Sequence, residues 1–307
     1  MRVLVTGGAG FVGTHLCLAL RPRGHEIVTL GTQPICTYQV DIRDHDGVVV
    51  ALGDARPDAV FHLAAIAHVP SADADPALTD AVNVGGTSSV LDGAARVGAR
   101  TVVVSTGAVY GHQADGDRPI TEEHATEPVG AYACSKAAAE QECRRRHGSQ
   151  EIVRVRPFNQ AGPGQSPDYV CSDFARQVAA CEREGAPGRI EVGDLSAVRD
   201  FVDVRDAVVA YIDVCERGRA GEVYNVCSGT GVEVRAVLDT LIDLASVDVA
   251  VEVRRERLRA GEVSRYYGSA AKLERATGWR PGIALRQTLA AVLDDWRTRL
   301  DVDGPCR

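Results

Sequence analysis

Tyr132 and Lys136 stand four residues apart in Gly-Ala-Tyr-Ala-Cys-Ser-Lys-Ala-Ala-Ala-Glu, residues 130–140. In a helix that spacing puts both side chains on one face. A phenol beside an ammonium is a proton donor next to the cation that lowers its pKa. The chain holds only two lysines, Lys136 and Lys272, against 32 arginines. Lysine differs from arginine as a compact point charge whose pKa shifts on burial. Taken alone, the pair is also what an ordinary alanine-rich surface helix carries, so the rest of the chain decides.

A second cluster lies near the N-terminus. A short β-branched run, residues 2–6, ends in Thr-Gly-Gly-Ala-Gly-Phe-Val-Gly (6–13), and an apolar helix follows to about residue 20. Gly7, Gly10 and Gly13 permit a tight turn, close approach of a diphosphate and close helix–strand packing, with the helix N-terminus facing the anion. Strand, glycine turn and helix in that order predict a dinucleotide site. The second strand, 26–30, runs into Gly31-Thr32-Gln33, with no carboxylate for the ribose hydroxyls of NAD. That absence leaves both NADH and NADPH open and leans toward NADPH, because nothing repels a 2′-phosphate. Asp41-Ile42, after a third short strand, offers either an adenine contact or a turn-capping aspartate.

These residues need elements to position them. Strand 59–63 runs into Ala64-Ala65, and strand 100–105 into Thr106-Gly107-Ala108-Val109-Tyr110-Gly111. A helix of about 76–97 containing Asn83 lies between them; a helix at 132–146 and a strand at 151–156 follow. Strands alternating with helices predict an α/β fold, a Rossmann-type doubly wound parallel sheet, with ligands beyond the carboxyl ends of the strands. Gly7, His62 and Thr106 all stand at such ends. After Pro157 comes a polar Gly/Pro-rich loop, 158–165. Further elements are expected as helices at 168–184, 203–217, 233–244 and 285–300, and strands at 189–192, 222–226 and 249–253. The division expected is a cofactor-binding domain over 1–158, to which the chain returns at about 201–226. A smaller α/β substrate domain is expected over 159–200 and 227–307. His62 reads as a packing residue near the cofactor, and Cys134 as packing on another helix face.

Composition narrows the classes. At 307 residues, 45% hydrophobic and 25% charged, the sequence is that of a globular protein. A formal charge of −8 argues against nucleic acid and anionic membrane as partners. No apolar run approaches the roughly 20 residues of a membrane span. Nine scattered cysteines without a C-x-x-C pair argue against a disulfide framework and a metal site. The N-terminus opens on a strand-like segment with no signal helix, so a reduced, cytoplasmic protein is expected.

The segments TGGAGFVG (6–13), HLAA (62–65), STGAVYG (105–111), YACSK (132–136) and GWRP (278–281) resemble the extended short-chain dehydrogenases/reductases acting on nucleotide-activated sugars. The C-terminal half is similar to GDP-4-keto-6-deoxy-D-mannose reductases, which form GDP-D-rhamnose. The similarity lies in 158–179, 192–208, 221–229 and 258–263, whereas residues 264–267 are unlike those relatives. The resemblance implies Tyr132 as general acid on a sugar carbonyl. It implies Lys136 as the cation that lowers the tyrosine pKa and holds the nicotinamide ribose, and Thr106 as a hydrogen-bonding partner of the same oxygen. Cofactor contacts implied are Gly7, Gly10, Phe11, Val12, Gly13, Asp41, Ile42, Leu63, Ala64, Ala65 and Asn83, with Tyr132 and Lys136. Substrate contacts implied are Thr106, Asn159, Val192, Arg199, Arg259 and Glu262. Related 4,6-dehydratases carry an acidic pair after the hydroxyl residue; Gly107 and Ala108 cannot transfer a proton, which favours reduction over elimination. A 4-epimerase with retained NAD⁺ and a non-catalytic NAD(P)-binding regulator remain the alternatives. Two long alanine-rich helices further imply a homodimer through a four-helix bundle.

Overall fold

The computed structural model describes residues 1–111, 118–185, 188–254 and 265–302. The first half alternates strongly. Strand β1 (Arg2–Thr6) is followed by α1 (Phe11–Leu20), β2 (Glu26–Gly31), β3 (Tyr38–Gln39), α2 (His45–Ala55) and β4 (Ala59–His62). Then come α3 (Val69–Ala74), α4 (Pro76–Asp80), a π-helical turn (Ala81–Gly85), α5 (Gly86–Val97), β5 (Arg100–Val104) and α6 (Gly130–Arg145). The chain continues through β6 (Ile152–Pro157), β7 (Asn159–Ala161), α7 (Val170–Glu184), β8 (Gly188–Val192), β9 (Val198–Asp203), α8 (Val204–Arg217) and β10 (Val223–Val226). It closes with β11 (Gly231–Glu233), α9 (Val234–Asp243), β12 (Val249–Val253), β13 (Arg265–Tyr266), α10 (Ala271–Thr277) and α11 (Leu285–Val302).

Seven strands form one sheet in the order β10-β6-β5-β4-β1-β2-β3, every pair parallel. This is the Rossmann-type doubly wound order with one strand added beyond β6. Parallel strands are covered on both faces and read as continuous apolar runs. Along β1, Val3 and Val5 pack toward Leu16, Leu20, Val208 and Tyr211, whereas Leu4 packs toward Leu30, Leu52, Val60 and Val90. Side chains alternate across a strand, so one five-residue run feeds two cores. A separate core joins Phe174 and Val178 of α7, Ile190 of β8, Leu238 of α9, and Leu289 and Trp296 of α11.

Several sequence expectations shift. The expected 76–97 helix is interrupted by the π turn, which changes the facing of Asn83. Asp203 ends β9 and caps α8, its side chain accepting from Arg205 N at 2.8 Å. The last helix runs to Val302. Helices α2, α3 and α10 and strands β7, β9, β11 and β13 were not expected. Cys134 is exposed rather than packed, and the eight described cysteines are all free. Among the described residues, no helix is long and apolar enough to cross a membrane.

Asp200 on β9, wholly buried, fastens two distant loops. Its carboxylate accepts from Ser228 N and Oγ at 2.7 Å each, from Gly229 N at 3.0 Å and from Gly268 N at 3.3 Å.

Candidate active site

The turn after β1 is shaped by absent side chains. Gly7 has φ +68°, where an L side chain is strained, and a Cβ there would stand 3.0 Å from Ala64 N. A Cβ on Gly13 would collide with the Gly7 carbonyl oxygen, so α1 lies against the turn only because residue 13 is glycine. The helix begins at Gly10 without a side-chain cap, which leaves first-turn amides open for an anion. Phe11 and Val12 face a cavity of about 320 Å³ together with Leu63, Ala65, Thr106, Tyr132 and Lys136.

Leu63 N and Ala64 N both donate to Thr6 Oγ1, at 3.2 and 3.1 Å. His62, 2% exposed, lies between Thr6 Oγ1 (2.8 Å) and Thr87 Oγ1 (3.0 Å). Thr87 gives its own proton to Asn83 O at 2.6 Å, so it accepts from His62 Nε2–H, and Thr6 donates to Nδ1. The imidazole is therefore neutral, and burial followed by the Lys136 charge drives its pKa down to about 3. Asn83 accepts from Ile66 N at 2.8 Å and donates to Ile66 O at 3.0 Å and Ser135 Oγ at 2.9 Å. The π turn thus aims Asn83 at both the loop after β4 and the helix carrying Lys136, in keeping with the functional use of such turns.

Tyr132 and Lys136 occupy the first two turns of α6. Burial pushes the Tyr132 phenol up to about 12, against a smaller lowering by Thr106. Burial pulls Lys136 down to about 8, with Cys143 and Glu140 working the other way, and its Nζ donates to Val104 O at 2.6 Å. The ammonium thus contacts the end of β5, directly before Ser105 and Thr106. Thr106 caps the short 3-10 turn of Gly107–Tyr110, its Oγ1 accepting from Ala108 N at 3.2 Å.

Asn159, Gln160, Gln165 and Tyr169 border both this cavity and a second one of about 580 Å³. Asn159 Nδ2 donates to Asp200 O at 3.1 Å, which fixes it on β7. Arg199 borders the second cavity and donates to Val198 O at 2.9 Å. Other expected residues stand elsewhere. Val192 is wholly buried in the second core, and Gly193 and Asp194 reach the cavity in its place. Ile42 is buried against the α2–α5 core, and Asp41 is paired with Arg43 at 2.6 Å. Arg259 and Glu262 lie outside the described residues.

Sequence reasoning missed Tyr266. Its hydroxyl is buried with no hydrogen-bond partner among the described residues and occupies the space a Gly107 side chain would take. Its ring stacks on Phe158 with centroids 4.8 Å apart. The available signal was the pair of glycine at 107 and the unusual 264–267 segment, two facts that only the fold connects. Glu140 was missed as well. This buried carboxylate, one turn beyond Lys136, accepts from Ser105 Oγ and from Arg156 Nε and Nη2, each at 2.7 Å.

The family described as NAD dependent epimerase/dehydratase matches residues 3–227. The GDP-6-deoxy-D-mannose reductase of Pseudomonas aeruginosa is 40% identical, covering 97% of this chain and 98% of that protein. A dTDP-glucose 4,6-dehydratase of Streptomyces griseus is 31% identical over 95% of this chain and 92% of its own. Among solved structures, RMD from Pseudomonas aeruginosa complexed with NADPH superposes with a TM-score of 0.86 at 37% identity, covering 97% of this chain and 99% of that one.

Proposed function

The chain belongs to the NAD dependent epimerase/dehydratase family, and from that premise we propose that it is an NADPH-dependent reductase of a GDP-4-keto-6-deoxyhexose. The reaction is reduction of GDP-4-keto-6-deoxy-D-mannose to GDP-D-rhamnose or a stereoisomer. The observation that carries it is a cavity holding Tyr132, Thr106 and Lys136, with Gly107 and Ala108 in place of proton-transferring side chains. The likeness to a named GDP-6-deoxy-D-mannose reductase over nearly the whole chain supports the sugar nucleotide.

The glycine turn fits a dinucleotide: its missing Cβ atoms and the uncapped α1 terminus make room and donors for a diphosphate. Gly7, Gly10, Phe11, Val12 and Gly13 would hold it, with Leu63, Ala65 and Lys136 along the nicotinamide half. When bound, the nicotinamide supplies the hydride. Tyr132 keeps its proton at neutral pH because burial raises its pKa, which suits a donor to the 4-keto oxygen. Thr106 orients that oxygen. Lys136 offsets the phenolate left after proton donation, and solvent restores the proton. Arg199 and Asn159 suit the substrate diphosphate as donors beside the second cavity. The working division is a cofactor part over 1–158 and 201–226 and a substrate part over 159–200 and 227–307, acting in the cytoplasm.

We further propose a homodimer. Leu78, Ala81 and Gly85 are exposed along one side of the helical run before α5, and Cys134 and Gln141 are exposed on α6. Mostly small side chains on both helices allow a second copy to approach closely.

The test is direct. Protein, NADPH and GDP-4-keto-6-deoxymannose are mixed, and cofactor absorbance is followed with product analysis. Stoichiometric consumption is expected, together with a loss of about 10²–10⁴-fold in turnover for Tyr132→Phe at unchanged nucleotide binding. No consumption with NADPH or NADH, or tightly retained NAD⁺ with sugar interconversion, would overturn the assignment.

A further inference from the structure

Away from the active site, a cavity of about 170 Å³ opens between the end of α6 and the start of β6, bordered by Arg144, His147, Gln150, Ile152 and Arg154. Arg154 is 6% exposed, yet its Nη1 is buried with no hydrogen-bond partner among the described residues. Nη2 of the same guanidinium donates to Gly221 O. A buried polar atom left unpaired is costly, and a buried cation more so.

The local charges do not balance. Three guanidinium groups, of Arg144, Arg154 and Arg156, surround one carboxylate, Glu140. Both oxygens of Glu140 are already taken, by Ser105, Arg156 and Arg144. Arg154 Nη1 stands 3.5 Å from Glu140 without hydrogen-bond geometry. Glu222 nearby is held by Lys272 at 2.7 Å. Burial, with the Arg144 and Arg156 charges, lowers the pKa of Arg154. The carbonyl end of α6 opposes an anion here. The charged side chains that border the cavity itself, Arg144 and Arg154, are both cations.

We propose that this cavity is a binding site for a free tetrahedral oxyanion of the phosphate or sulfate class, held by Arg154 from below and Arg144 from the rim. Size supports an ion over a nucleotide. At roughly 30 Å³ per water the space equals a handful of waters, whereas small-molecule sites run from about 300 Å³ upward. Guanidinium forks match the oxygens of such an ion in pairs.

For the test, the full chain saturated with NADPH and GDP, which fill the nucleotide sites, is titrated with inorganic phosphate by calorimetry in a zwitterionic buffer. One saturable site is expected. Arg144→Ala, at the exposed rim, is expected to weaken it about tenfold or more. Arg154→Lys, checked for an unchanged melting temperature, weakens it further, because an ammonium cannot present the fork. No saturable heat, or equal affinity in wild type and Arg144→Ala, overturns the proposal. Glycerol phosphate binding as tightly as inorganic phosphate overturns the free-ion assignment. Should GDP be the wrong nucleotide, wild type and variants share that residual binding, and their difference still reads this cavity alone.

Discussion

His62 shows how one neutral side chain supports the cofactor turn. Thr6 Oγ1 already accepts from two amides, so a protonated Nδ1 would face an oxygen with no capacity left to accept. The folded pKa is about 3 against an ordinary 6.5. As pH falls, the unfolded chain takes up the proton first. Stability from this group is complete above pH 6.5 and is lost progressively toward pH 3. Between pH 7 and pH 5 the protein is expected to lose roughly 2 kcal/mol more than a His62→Gln variant. Urea unfolding at the two pH values measures this, and parallel losses would show that the imidazole is charged in the folded protein.

At the scale of elements, α6 is tied to β6 through Glu140, and that tie supports the helix bearing Tyr132 and Lys136. Glu140 and Arg156 are 1% and 2% exposed. Removing one partner of such a pair strands the other, so Glu140→Ala should cost about 3–5 kcal/mol in denaturant unfolding. A loss below about 1 kcal/mol would mean that water reaches the guanidinium. Glu140→Leu combined with Arg156→Met should recover only part of the loss, because buried Arg154 is still left without the Glu140 carboxylate. The sequence announced the strands and helices that bury continuous apolar faces, and the glycine turn with its helix. It did not announce β7, β11 and β13, whose two or three residues are too short to carry a period. Strand β9 was hidden because Arg199, Asp200 and Asp203 interrupt its apolar run, and the partners of Asp200 lie far along the chain. Tyr266 was illegible for the same reason: its place over Gly107 depends on contacts across more than 150 residues. Val192 is wholly buried, and a strand end alone does not say which of its residues faces a cavity.

At the scale of the whole molecule, the site lies where the parallel sheet meets the second core, and Asn159, Gln160, Gln165 and Tyr169 belong to both cavities. The two cavities therefore share part of one set of walls. The proposed homodimer would use the exposed positions Leu78, Ala81, Gly85, Cys134 and Gln141. Sedimentation at micromolar concentration is expected to give the mass of two chains, and replacing Ala81 and Gly85 by glutamate should give one. A single-chain mass for the unaltered protein would rule the pairing out.

Asp200 carries a consequence for solvent exchange. The amides of Ser228, Gly229 and Gly268 share one buried carboxylate, so none can open without disturbing the others. In deuterated water these three protons, from two loops with α9 and strands β11, β12 and β13 between them, should exchange with one common rate and one common pH dependence. Threefold separate rates would mean that the loops breathe independently. A common rate would make Asp200 the point at which these two loops open as one cooperative unit.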